Sequence, residues 1–402
     1  MSGATSTNPP ARLVSLDAYR GLVMLAMVSG GLGFSAMAAR FPESRVWAFL
    51  GYEFSHAEWT GCSFWDLIQP SFMFIVGVAM PYSFARRLTS GDSRAKRAWH
   101  VLYRSAVLVL LGIFLRSDGR SETYFTFEDV LTQIGLGYPL VYLLLGRRLV
   151  VQGLAAAAIL VGYSLLFVQY PLPGRDFDYA AVGVPSDWPH FSGIAAHFDK
   201  NTNVAAAFDV WFLNLFPRSS PFTHNGGGYQ TLSFVPSMAT MLFGVMAGTL
   251  MRREIEPGAK IKQLVIAGAA CFAAAMAVDG TIWPFVDWRW TYFPVVKRIW
   301  TPTWAVFSAG WTLWLLAVMY WIIDVKGYRR WAFPLVVVGM NSIAMYVMAK
   351  FFKGWAIATL KTHLGQDIFA GTYGPVLAAF AGMFVLWLFC YWLYRRRIFL
   401  RI

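Results

Sequence analysis

The stretch His56-Ala-Glu-Trp-Thr-Gly-Cys-Ser-Phe-Trp-Asp66 brings together two residue types suited to moving protons. It runs into Leu67–Phe84, an apolar segment long enough to cross a bilayer. An imidazole exchanges protons near neutral pH. An aspartate inside a membrane span is costly to bury and usually has a task. Were the whole stretch helical, the pair would lie about 15 Å apart along the axis. They meet only if Ser55–Thr60 folds back over the helix mouth, or through a bound substrate. Gly61 permits that turn. Folded back, Asp66 would hold the imidazole tautomer while His56 takes a proton from a nucleophile. The plainer alternative is an interfacial histidine and an aspartate bonded to its own neighbours.

Other polar residues in apolar surroundings carry weaker signals. Asp17 and Arg20 are spaced to share a helix face and pair with each other. Arg104, one or two turns into a span, can meet a phosphate or extend to the surface. Asn341 and Ser342 lie mid-span, where interhelical hydrogen bonds typically contribute about 1 kcal/mol. Cys62, Cys271 and Cys390 fall in or beside apolar runs, with no metal spacing and no disulfide framework. Gly226–Gly228 is not followed by Lys-Ser or Lys-Thr, so it is no phosphate-binding P-loop.

These residues need a scaffold, and composition names it. The chain has 402 residues, 57% hydrophobic and 14% charged. That is an all-α polytopic membrane bundle, a single transmembrane domain over 1–402 with a flexible N-terminus at 1–11. Ten spans are expected: Leu16–Met37, Cys62–Phe84, Ala98–Leu115, Val130–Leu145, Leu149–Tyr170, Thr231–Met251, Gln263–Phe285, Trp300–Ile323, Trp331–Phe352 and Gly374–Tyr394. The net charge of +13 is spread over alternate short loops, which orients a membrane protein and excludes a nucleic-acid surface. Arg86, Arg87, Arg94, Lys96 and Arg97 mark one cytoplasmic loop, and Arg395, Arg396 and Arg397 the tail. Glu43, Glu53, Glu58, Glu122, Glu128 and Asp129 lie on the other side, with His56. So does the long loop 171–230, which holds His190, His197, Asp199 and His224 and reads as a cap.

Several segments together resemble the heparan-alpha-glucosaminide N-acetyltransferase family. They are Arg12–Gly21, His56–Asp66 with the following Gln69–Gly77, Trp300–Asp324 and Gly339–Tyr346. The resemblance implies a membrane acyltransferase that uses cytoplasmic acetyl-CoA and acetylates a glucosamine-like amine on the far side. It places the family's active-site histidine on His56 and an acidic partner on Asp66, and it carries over Asp17, Arg20 and Asn341. The anionic phosphates of the co-substrate call for arginines at the cytoplasmic mouth. Arg20, Arg86, Arg87 and Arg104 are available there, with Arg20 and Arg104 favoured. No metal is expected. The expected partners are acetyl-CoA, an amino-sugar or glycan acceptor, the lipid bilayer and a second copy of the chain in a homodimer. The expected location is a bacterial inner membrane. His56 then acts as general base in a ternary complex, or carries the acetyl group as an acyl-imidazole. The rival class is a transporter or flippase of a sugar-linked ligand.

The charge pattern makes a direct prediction. Single cysteines placed at position 56 and within 171–230 should react with an impermeant maleimide added outside, and one at position 94 should not. Labelling at 94 alone would invert the topology.

Overall fold

The computed structural model describes residues 13–282 and 290–400, and these are helical with two isolated β-bridges. The expected flexible segment 1–11 and the end of the expected seventh span, 283–285, fall outside the described residues. In chain order the helices are α1 (Val14–Ser29), α2 (Phe34–Arg40), α3 (Arg45–Glu53), α4 (Ile68–Thr89), α5 (Arg94–Ser117), α6 (Val130–Tyr142) and α7 (Leu149–Val168). There follow α8 (Val204–Leu213), α9 (Phe234–Met251), α10 (Pro257–Val278), α11 (Pro302–Met319), α12 (Phe333–Gly339), α13 (Ser342–Leu364) and α14 (Gly374–Arg395).

Among the described residues, eight helices are long and apolar enough to cross a membrane, or nine if α1 and its continuation, bent by 58°, count as one. The expected fourth span survives as α6, only 13 residues long and with Pro139 inside it. That is about 20 Å of helix against a hydrocarbon core of about 30 Å. The expected ninth span is two pieces. α12 stops at Gly339, Asn341 breaks the ladder, and α13 continues to Leu364.

α4, α9 and α11 are the most enclosed spans and form the centre. Glycines set how closely they pack. A Cβ on Gly77 would lie 2.0 Å from the Met241 carbonyl oxygen, and one on Gly244 would lie 2.1 Å from that of Phe74. α4 and α9 therefore touch backbone to backbone, the small-residue contact that lipid-embedded helices favour. α1 and α12 meet in the same way through Gly21 and Gly339. α1 also has its start fixed from a distance. Asp324, in a π-helical turn after α11, accepts from the Val14 and Ser15 amides at 3.2 and 3.1 Å. Those amides are orphan donors of a helix start, and the carboxylate suits the positive end of the helix dipole.

Segment 171–230 folds as turns and α8 over one end of the bundle. Trp59, Tyr163, Phe167, Trp188, Phe198 and Ile299 pack into a separate apolar cluster there. Asn203 caps α8 by accepting from Ala205 and Ala206, and His190 pairs with Asp199 at 3.2 Å. Asp209 of α8 is buried and accepts from the Thr231 amide at 2.9 Å. Burial pushes its carboxyl up to about 7, with Glu128 adding to the rise while Thr231 and Arg218 oppose it.

That shift fixes a pH dependence. A raised folded-state value means the folded chain holds a proton that the unfolded chain has released between about pH 4 and 7. Stability is fully present below the unfolded value and is lost as pH rises through 7. The thermal midpoint of the detergent-solubilised protein should therefore fall between pH 5.5 and 8, and Asp209→Asn should flatten that fall. An equally steep decline in the variant would assign the pH dependence elsewhere.

Candidate active site

The segment before α4 folds back over the mouth of that helix. Gly61 makes the turn at φ +99°, and its amide donates to the Val295 carbonyl at 3.0 Å. Trp59 anchors the same segment by donating from Nε1 to the Phe198 carbonyl at 3.2 Å. Arg298 holds it from the side by donating to the Ala57 carbonyl at 3.2 Å. The result brings His56 Nδ1 to 2.8 Å from Asp66 Oδ1. The other carboxylate oxygen accepts from the amides of Ala57 at 3.0 Å and Ser63 at 3.2 Å. The Asp66 side chain is 1% exposed and that of His56 is 39% exposed. A buried, multiply bonded carboxylate thus backs an accessible imidazole.

A third residue joins them that sequence reasoning missed. Lys297 Nζ lies 3.2 Å from Asp66 Oδ1 and 3.1 Å from His56 Nδ1, and its side chain is 7% exposed. A tight turn presents it. Thr301 Oγ1 accepts from the Val296 amide at 3.0 Å and donates to the Pro294 carbonyl at 2.7 Å. Asp279 receives the Val295 amide at 2.8 Å, so this aspartate organises the loop. The signal was available in part. Lys297-Arg298 is a basic pair immediately before the expected eighth span. Nothing in the sequence brings it to a histidine 241 positions away.

The electrostatics favour one arrangement of protons. Burial pushes the Lys297 ammonium below its ordinary value, and the adjoining Asp66 carboxylate pulls it partly back. The lysine has donors only. The carboxylate oxygen between the two nitrogens is the shared acceptor. It suits an Nδ1–H on His56, the tautomer that would leave the Nε2 lone pair free. Trp65 flanks the imidazole, its ring centre 6.4 Å away and inclined at 61°.

The remaining candidates sit elsewhere. Arg20 lies 3.5 Å from Asp17 and donates to the Gly339 carbonyl at 3.4 Å, so both belong to the α1–α12 contact. Asn341 follows that contact, and its amide is engaged by the tail. It donates to the Ile398 carbonyl and accepts from the Leu400 amide, each at 3.0 Å. Arg104 is held by α6 instead. It stacks on Tyr138 at 4.7 Å and donates to that hydroxyl at 3.3 Å, with its buried Nε lacking a hydrogen-bond partner.

The segment that carries His56, Asp66, Asp17, Arg20 and Arg104 has known counterparts. Residues 12–183 match the family described as heparan-alpha-glucosaminide N-acetyltransferase, catalytic. The chain is 25% identical over 440 aligned positions to the human heparan-alpha-glucosaminide N-acetyltransferase, covering 98% of this chain. It is 23% identical over 432 positions to the mouse protein of the same name, covering 97%. The chain is thus similar over nearly its whole length to two proteins named as acetyltransferases. It spans about 60% of the length of each of the two. The family match ends before Lys297 and Asn341, so the turn that presents the lysine lies outside the matched segment.

The buried Lys297–Asp66 contact has a measurable worth. Removing one partner of such a pair strands the other charge at a cost of about 3–5 kcal/mol. Lys297→Met should lower the thermal midpoint of the purified protein sharply. Combined with Asp66→Asn it should recover much of the loss, because no charge is then stranded. Additive losses in the double variant would show that the two groups are not coupled.

Proposed function

We propose that this chain is a membrane-bound acetyltransferase. It moves acetyl from cytoplasmic acetyl-CoA to the amine of an amino sugar at the periplasmic face of a bacterial inner membrane. The observation that carries this reading is the half-exposed His56 imidazole seated on the buried Asp66 carboxylate at a helix mouth. The names of the human and mouse relatives support the reaction type and a glucosaminide acceptor. The distribution of Lys and Arg supports the sidedness.

The chemistry follows from the free nitrogen. The uncharged sugar amine attacks the thioester carbonyl carbon, forming the N–C bond, and His56 Nε2 takes the proton that the nitrogen sheds. The resulting imidazolium is stabilised by Asp66 through Nδ1–H. Collapse of the tetrahedral intermediate breaks the C–S bond, and the imidazolium returns its proton to the departing thiolate. Asp66 and Lys297 act as positioning residues. The carboxylate fixes the ring and its tautomer, and the lysine fixes the carboxylate. Direct transfer is favoured over an acyl-imidazole, since a co-substrate spanning the bundle needs no covalent relay.

At the cytoplasmic mouth, Arg104 is the first candidate for the phosphates of acetyl-CoA. Its half-buried guanidinium keeps an unpaired donor. Arg20 is the second, held in place by Asp17. Asn341 is assigned to fixing the tail beside them.

His56→Ala should retain acetyl-CoA binding by calorimetry and lose transfer to glucosamine by about 10²–10⁴-fold. Asp66→Asn should follow in severity. A folded His56→Ala protein with intact transfer would overturn the assignment. Radiolabel retained on the wild type after acetyl-CoA alone, and absent from His56→Ala, would replace direct transfer with the acyl-imidazole route.

A further inference from the structure

A cavity of about 320 Å³ opens between α1, α5, α13 and the start of α6, away from His56 but at the same end of the bundle. Gly30 lines it, and the adjoining Gly31 packs on the Phe54 carbonyl, two residues before His56. Asp129, on the opposite wall, lies one turn before Gln133, which meets Gln69 of α4 at 3.4 Å. The inner walls are apolar, formed by Met27, Val28, Leu115 and Ala349. The polar lining is cationic in character, with Arg116, Lys350 and Lys353.

The charges are unevenly satisfied. The Asp129 carboxylate is fully engaged, by Arg116 Nε at 3.1 Å, the Tyr346 hydroxyl at 3.0 Å and the Leu131 amide at 2.9 Å. Arg116 also lies 3.8 Å from Glu128. Lys350 faces Asp118 at 3.6 Å, with both side chains near half exposed, an ion pair of little strength. Lys353 differs from both. Among the described residues its ammonium is bonded to carbonyls alone, those of Val28 at 2.8 Å and Ser29 at 3.0 Å. The end of a helix supplies roughly half a negative charge, which leaves this half-buried ammonium short of a counter-charge. Gly30, at φ +64°, keeps the approach open, since a Cβ there would lie 2.7 Å from Lys353 Nζ.

The rim identifies the source of that counter-charge. Phe114 of α5 and Phe352 of α13 are exposed, on helices apolar enough to face lipid. Beside them are the half-exposed Arg116, in the last turn of α5, and Lys350, a basic pair that a headgroup at that end of the helix would meet. We propose that this cavity binds the phosphate of an anionic phospholipid, with Lys353 as its principal contact. Arg116 and Lys350 flank the phosphate, and the lipid's first methylenes lie against Leu115 and Ala349.

The test uses the full-length protein, delipidated in detergent and titrated with phosphatidylglycerol or phosphatidylcholine, with bound lipid counted by native mass spectrometry. The first phosphatidylglycerol should bind about fivefold more tightly than phosphatidylcholine, the worth of one basic residue near an anionic surface. Lys353→Met should bring that ratio close to one, and Lys353→Arg should restore it. Lys353 also caps α1, so Ala349→Phe serves as the second variant. It fills the cavity without touching a charge and should abolish the preference equally. A ratio near one in the wild type, or one unchanged in Ala349→Phe, would overturn the proposal. Displacement of phosphatidylglycerol by millimolar glycerol 3-phosphate would also overturn it, because the pocket would then serve a soluble phosphate.

Discussion

The candidate site depends on burying one carboxylate. Asp66 sits almost without solvent at the start of a central span, where an uncompensated charge would cost several kcal/mol. The fold meets that cost with parts from three places. The local turn supplies the amides of Ala57 and Ser63, the fold-back supplies His56, and a distant loop supplies Lys297. Each contributor is itself held. Val295 is fixed by Asp279, Trp59 by the cap, and Gly61 by the Val295 carbonyl. The order around His56 thus follows from the needs of its neighbour. An imidazole on a mobile loop would gain little from Asp66. Here the loop cannot leave without stranding the carboxylate.

The same economy governs α1. Asp324 accepts from its first amides and Lys353 donates to its last carbonyls, so an acid and a base sit at the ends the helix dipole favours. Between them, Gly21 lets the helix lie directly on α12. Asp17 and Arg20 are fixed by that contact. They are as much part of the helix seam as of any mouth that faces the cytoplasm, and a role in binding would be added to a structural one.

Much of this was legible in the residues, and the reasons for the rest are physical. Hydropathy located the membrane helices, because a run of apolar side chains has few other uses at that length. It overstated the length of Val130–Leu145, whose helix stops at Tyr142 and closes in turns over 143–145. It also misplaced the end of the ninth span, because Asn341 reads as one polar residue in an apolar run. In the fold it is the break, its side chain given to the tail. The pairing of His56 with Asp66 was conditional on a fold-back that Gly61 allowed but did not require. What closes it is the strand-like contact with residues 295–296, a pairing between segments far apart in the chain. Lys297 was hidden for the same reason.

A lysine beside a histidine would ordinarily be a poor neighbour for a base. The geometry shows why it is tolerated. Both nitrogens address one oxygen of Asp66, while the second oxygen is taken by backbone amides, so the carboxylate cannot rotate away from either partner. Lys297 therefore competes with His56 Nδ1–H for the same acceptor. Protonation of the ring at Nε2 strengthens the Nδ1–H···Oδ1 bond and shifts that competition toward the histidine. The lysine can yield without moving, because its own ammonium is already disfavoured by burial. The cluster is thus arranged to respond to a proton arriving at Nε2 by redistributing bonds among atoms already in contact. On the proposed reading of His56 as the base, that property would favour the reaction, since no solvent or loop has to reorganise when charge develops.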